Sequence, residues 1–197
     1  MNDSILIKTP ASLEQIEQRS KGLDFGMASD RRTGALLGTL AASKPGGCFL
    51  ELGTGTGIAT AWLLAGIDAA SSLISVDITA EFQAVAREVH GHDPRLTLVL
   101  EDGIQFLHKQ QPQTFDLVFA DAMPGKYESL DEALALVRPG GFYVIDDMLP
   151  QPNWPEDHAA KAAALIERLS RESKFQIAPL SWSSGVILLV RRPEPVT

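Results

Sequence analysis

The chain has a single cysteine, Cys48, among 197 residues. No disulfide can close within it, and no cluster of cysteines can hold zinc. Cys48 opens an apolar run, where a small buried residue is the ordinary reading. The chain also lacks any apolar stretch long enough to span a bilayer. Basic residues are scarce, 17 Lys and Arg against 25 Asp and Glu, for a net charge of −8. Such a deficit argues against a broad electrostatic grip on nucleic acid, although a few contacts to an RNA stay open. Residues Met1 to Pro10 are polar and lack the basic-then-apolar layout of a signal peptide, so the cytoplasm is expected. His90, His92, His108 and His158 lack metal-like spacing and read as surface or helix-end residues. There is no internal repeat.

What is present is an alternation. Residues Leu13 to Lys21 and Arg31 to Ala42 read as two helices ahead of the main fold. Five short apolar runs follow: Cys48 to Gly53, Leu73 to Asp77, Leu96 to Leu100, Phe115 to Asp121 and Phe142 to Asp146. Helices are expected between them at Ile58 to Ala65, Glu81 to His90, Ile104 to Lys109 and Leu130 to Val137. Strands alternating with helices predict a mostly parallel sheet covered on both faces. After a helix from Glu156 to Arg171, the runs Phe175 to Pro179 and Val186 to Arg191 are joined by a link too short for a crossover. They predict a hairpin with an antiparallel last strand. The expected fold is a doubly wound α/β domain over residues 1–197 with a seven-stranded sheet. The helices within residues 11–42 cap its ligand site.

Glu51-Leu-Gly53-Thr54-Gly55-Thr-Gly57 lies at the carboxyl end of the first strand, the edge where ligands bind in open α/β sheets. Its glycines are expected to let backbone amides approach a ligand. Ile58 stands where a dinucleotide loop needs its third glycine, so an adenosine ligand other than NAD is favoured. Asp77, beside Ile78, ends the second strand and can accept both hydroxyls of a ribose. Asp102-Gly103 follows the third strand, where the carboxylate either meets an adenine amino group or caps a helix.

Three stretches then resemble the catechol and caffeoyl-CoA type O-methyltransferases, a metal-dependent group of class I S-adenosylmethionine-dependent methyltransferases. They are Phe49 to Gly57, Phe115 to Asp121 with Tyr127 beyond it, and Leu136-Val-Arg-Pro-Gly-Gly-Phe-Tyr-Val-Ile-Asp-Asp147. Met27 to Gly34 resembles the segment that caps the cofactor. The resemblance implies S-adenosylmethionine as cofactor. Met27, Ser29 and Glu51 would lie along its methionine side, with Gly53, Thr54, Gly55 and Ala59 in the loop. Ala59 replaces the group's usual Ser. Asp77 and Ile78 would hold the ribose, and Asp102 and Gly103 the adenine. Asp121 would bridge the cofactor amine and a metal, with Asp146 and Asp147 as further ligands.

Three crowded carboxylates repel one another unless a cation or protons intervene, and an all-oxygen set suits Mg²⁺. Alternatively, Asp146-Asp147 merely caps a turn. Asp147 replaces the group's Asn, and Pro124 replaces its catalytic Lys. Lys126 is either the substitute base or a solvated loop residue. Trp154 either walls an aromatic substrate or packs beneath a helix, and Trp182 faces a pocket or a second copy. The expected reaction is methylation of a small catechol-like hydroxyl. The alternatives are a hydroxylated uridine in tRNA, a metal-free methyltransferase, an NAD-dependent oxidoreductase and a cofactor binder without turnover. A homodimer is expected from the resemblance alone.

Overall fold

Strand alternation divides the core into two layers. In a computed structural model that describes residues 6–23, 25–152 and 154–193, β1 (Cys48–Leu52) sends Phe49 to one face and Leu50 and Leu52 to the other. β4 (Phe115–Ala120) repeats this, with Leu117 and Phe119 opposite Val118 and Ala120. The period of two is that of a pleated strand buried on both sides. On the Phe49 face pack α2 (Arg31–Ala42) and α3 (Ile58–Gly66) through Leu37, Ala59 and Leu63. On the other face pack α5 (Gly103–Leu107), α6 (Leu130–Ala135) and α7 (His158–Ser170) through Phe106, Leu134 and Leu165. α1 (Leu13–Ser20) joins α3 and α4 (Ala80–His90) around Ile16, Trp62 and Val85.

The remaining strands are β2 (Ser72–Asp77), β3 (Leu96–Leu100), β5 (Val137–Ile145), β6 (Phe175–Leu180) and β7 (Val186–Arg191). The sheet order is β3-β2-β1-β4-β5-β7-β6, with only β7 antiparallel to its neighbours. This is the seven-stranded, hairpin-closed sheet expected from the sequence. The chain runs outward from β1 to β3 and returns to lay β4 beside β1. A crevice opens at that reversal, between the carboxyl ends of β1 and β4.

Several element ends differ from the sequence expectation. α6 stops at Ala135 because Val137 already pairs with Phe115, and β5 carries Pro139-Gly140-Gly141 past a bulge opposite Phe115 and Leu117. α5 is one short turn, and α7 begins two residues beyond Glu156, after Pro155. Among the described residues, no helix is long and apolar enough to cross a membrane. The expected extent of residues 1–197, and the polar start read at Met1 to Pro10, include residues 1–5, 24, 153 and 194–197, which lie outside the described residues.

Candidate active site

Three adjoining cavities follow the carboxyl edge of the sheet. The first, about 190 Å³, is lined by the loop Gly53 to Thr56, Asp77, Phe82 and Asp121, with Met27 to Ser29 across it. The second, about 280 Å³, shares Gly53, Asp77 and Ala122 with the first and adds Ile78, Asp102 and Gly103. The third and largest, about 730 Å³, shares Met27 to Ser29, Asp121 and Ala122 with the first. It is closed by Lys126, Tyr127, Asp146, Asp147, Trp154 and His158. The residues expected at one cofactor site therefore meet around the first two cavities, with one exception.

That exception is Glu51. It is fully buried and lines none of these cavities. As the strand alternation dictates, it lies on the Phe49 face, beneath α3. Its Oε2 accepts a hydrogen bond from the Thr60 hydroxyl at 2.5 Å and another from Ser75, while Oε1 has no partner among the described residues. Burial lifts its carboxyl to about 7, against the two hydroxyl donors. Ser75 also pairs with Thr54 at 2.6 Å, which connects the buried carboxyl to the loop.

Protein packing also requires the loop glycines. A Cβ at Gly55 would lie 2.5 Å from the Phe25 ring, and one at Gly53 would lie 2.9 Å from the Asp121 carbonyl. The space is taken by protein rather than ligand, and φ of +102° at Gly53 demands glycine independently. Asp77 fastens the loop as well: its Oδ2 accepts from the Gly55 amide and its Oδ1 from the Thr79 amide, both at 2.7 Å. Asp102 is both cavity wall and helix cap, accepting from the Gln105 amide at 3.0 Å.

Asp121 receives the Ser29 hydroxyl on Oδ2 at 2.9 Å. Burial first, then the neighbouring Asp146, raise its pKa, with Ser29 and Lys126 opposing. Asp146 is 2% exposed and raised for the same first reason, although Ser184 and the Asp147 amide hold its Oδ1 at 2.5 and 2.7 Å. Asp147 sits at φ +58°, with Oδ2 bonded to the Trp154 indole at 2.9 Å.

Lys126 is not a solvated loop residue; it is 4% exposed. Pro124-Gly125 turns it inward. Gly125 has φ +80°, its amide donates to Glu128 O at 2.7 Å, and its carbonyl takes the Tyr143 hydroxyl. The Lys126 Nζ donates to Asp147 O at 3.3 Å. Burial draws its pKa down, while Asp121, Asp147 and Asp146 oppose that shift.

The divalent ion that the resemblance implies would share these carboxylates with protein donors. Each of the three carboxylates has one oxygen bonded to a protein donor, and the positive charge in their field is the Lys126 ammonium. Among the described residues, no three His, Cys, Asp or Glu side chains are grouped to hold a metal ion.

His158 opens α7, the helix-end position expected of it, and it also walls the largest cavity, with its Nε2 hydrogen-bonded to the Tyr127 hydroxyl at 3.0 Å. No local motif marks the cavity position of His158. Trp154 faces the same cavity. Trp182 does not line it, and carries the Arg32 guanidinium 5.8 Å from its ring centroid. His90 closes α4, again a helix-end position, and among the described residues its Nε2 is enclosed without a partner.

Comparison with known proteins agrees with this architecture. Residues 50–148 match a family described as a methyltransferase domain. The inferred O-methyltransferase of Mycobacterium ulcerans is 33% identical over 184 residues, covering 88% of this chain and 82% of the relative. That of Mycolicibacterium vanbaalenii is 32% identical over 133 residues, where the match spans 64% of this chain and 59% of the relative. The chain thus spans about three-fifths of the length of some curated relatives. The O-methyltransferase TomG of Streptomyces achromogenes, solved with S-adenosylmethionine, superimposes with a TM-score of 0.81 at 23% identity, covering 96% and 93% of the two chains. A Bacillus cereus O-methyltransferase solved with S-adenosylhomocysteine does so at 0.81 and 20% identity, covering 96% and 94%. The chain belongs to the class I S-adenosylmethionine-dependent methyltransferase family.

Proposed function

We propose that this chain, acting as one domain capped by α1, α2 and the segment from Phe25 to Asp30, transfers a methyl group from S-adenosylmethionine to a hydroxyl of a small aromatic acceptor. One observation carries this reading. A loop-lined cavity of about 190 Å³ and an acceptor-sized cavity of about 730 Å³ meet at Ser29, Asp121 and Ala122. Donor and acceptor placed in them would face each other across that shared wall.

The residues present fit the cofactor. Asp77 reaches two cavities, as a ribose holder between adenine and methionine compartments must, and its oxygens keep lone pairs beyond the two amides. Asp121 is a half-buried carboxylate that takes the Ser29 hydroxyl on Oδ2, and a cationic ligand would relieve its raised pKa. Thr56 lines the first cavity with a buried hydroxyl that has no partner among the described residues. S-adenosylmethionine, when bound, supplies an electrophilic methyl on a sulfonium.

Lys126 supplies the base. Its lowered pKa increases the neutral fraction that can take the acceptor's hydroxyl proton. The acceptor oxygen then forms its bond to the methyl carbon as the carbon–sulfur bond breaks, and that electron pair stays on sulfur. Asp121 and Asp147 hold the resulting ammonium. Held in line, the two partners react as if at high local concentration. No step needs a divalent ion. The acid-lined cavity, with Asp30, Asp121, Asp146 and Asp147 against Arg32 and Lys126, favours a small acceptor over the phosphates of tRNA.

The test is turnover of a panel of phenols and catechols with S-adenosylmethionine after exhaustive EDTA treatment. Methylated product at an undiminished rate is expected. Activity lost with chelator and restored by Mg²⁺ would return the ion to the mechanism. No product from any hydroxyl acceptor would overturn the O-methyltransferase reading.

A further inference from the structure

His158 is held more firmly than a cavity wall requires. Its ring lies 4.4 Å from the Trp154 ring at 40°, and 5.3 Å from Tyr127 in an edge-on contact of 89°. Nε2 is bonded to the Tyr127 hydroxyl, and Asp147 Oδ2 stands 3.8 Å from it, beyond bonding range. Burial pushes the Tyr127 phenol up to about 12, so it keeps its proton. We take the phenol as the donor to this ring nitrogen. Nε2 is then the acceptor, which assigns the remaining ring hydrogen to Nδ1. Nδ1 has no partner among the described residues, and it is not among their enclosed polar atoms.

We propose that His158 is the specificity-determining residue of the acceptor cavity: its fixed Nδ1–H donates to a hydrogen-bond-accepting substituent on a planar hydroxylated ring. This inference rests on reading that cavity as the acceptor site. Trp154 and Tyr127 prevent the imidazole from turning, so the donor's direction is set before the acceptor arrives. A site built to bond an oxygen discriminates against a ring of the same shape that lacks it, because its own donor is then left without a partner. Trp154 has a second effect: it anchors Asp147, whose carbonyl receives Lys126. The selecting wall and the base therefore share one framework.

The experiment is calorimetry on the protein saturated with S-adenosylhomocysteine, using two ligands of equal shape, a dihydroxyacetophenone and the corresponding ethylcatechol. The parent should bind the ketone more tightly by about three- to tenfold, the usual worth of one hydrogen bond. His158→Phe keeps a flat ring but has no donor, and should bind the two alike with S-adenosylhomocysteine affinity unchanged. His158→Ala decides the same comparison if the Phe variant does not fold. A parent that shows no preference, a preference that survives in the variants, or binding of neither ligand would overturn the proposal. Binding with the expected preference but no methyl transfer from S-adenosylmethionine would instead sink the O-methyltransferase reading and leave the selectivity standing.

Discussion

Two buried ionisable side chains carry opposite demands, and each gives a pH-dependent prediction. Glu51 binds a proton more tightly folded than unfolded, since burial moves it from 4.5 to about 7. Between those values the folded state holds more protons, so its contribution to stability is fullest at low pH and falls as pH rises through the window. Glu51→Gln keeps an acceptor for the Ser75 and Thr60 hydroxyls and removes the charge. It should raise the melting temperature at pH 8 and flatten the decline from pH 5, by an effect on the order of 2–3 kcal/mol. Parallel melting curves in parent and variant across that range would show that the carboxyl ionises alike in both states. The burial of Glu51 was legible in advance: Phe49 and Glu51 share a face of β1, and Phe49 is core. As the proposed base, Lys126 must lose its proton to act. Its rate should therefore climb with pH and level off below the ordinary lysine value of 10.5. Lys126→Met should cost about 10²–10⁴-fold at neutral pH. It should regain rate in alkali, where the acceptor ionises unaided, while S-adenosylhomocysteine affinity holds. A variant with the parent's profile at every pH would leave Lys126 no part in proton removal.

At the scale of elements, the turn between β4 and α6 decides whether that lysine arrives. Met123 O accepts amides from Lys126, Tyr127 and Glu128, a tight reversal that φ of +80° at Gly125 makes available. A Cβ there would lie 2.5 Å from Leu52 and 2.9 Å from the Tyr143 hydroxyl. Gly125→Ala should thus displace Lys126, lowering kcat with little change in S-adenosylhomocysteine affinity. Measured kcat and Kd that fall together would mean that the turn supports the cofactor loop instead. This turn also shows where sequence reading stops. Asp77, Asp121 and Asp146 were legible because a carboxylate at the end of a parallel strand can only lie at one edge of the sheet. The direction of Lys126 depends on Tyr143, in a strand 18 residues beyond Gly125. His158 depends on Tyr127, 31 residues before it. Neither relation has a spacing that a sequence can display.

Over the whole molecule, the reversal of strand order between β1 and β4 places an adenosine-binding crevice, and this alone suits a dinucleotide as well as S-adenosylmethionine. Charge separates them. The cavity at the glycine loop is walled by Asp77 and Asp121, and no Lys or Arg is among its lining residues. A pyrophosphate there would face two carboxylates, whereas a sulfonium and an ammonium would be drawn to them. The net charge of −8 adds a weaker field of the same sign. S-adenosylmethionine and S-adenosylhomocysteine should therefore raise the melting temperature, and NADH should not. A ligand at 100 times its Kd stabilises a fold by about 2.7 kcal/mol, well within the reach of a thermal-shift measurement. The two cofactor forms also separate the charges involved. The sulfonium that S-adenosylhomocysteine lacks should make S-adenosylmethionine binding the more sensitive to added salt. Asp121→Asn should weaken both, and should narrow the difference between them. Equal or greater stabilisation by NADH would mean that the crevice accepts a pyrophosphate despite its carboxylates, and the methyl-transfer assignment would fall with the charge argument.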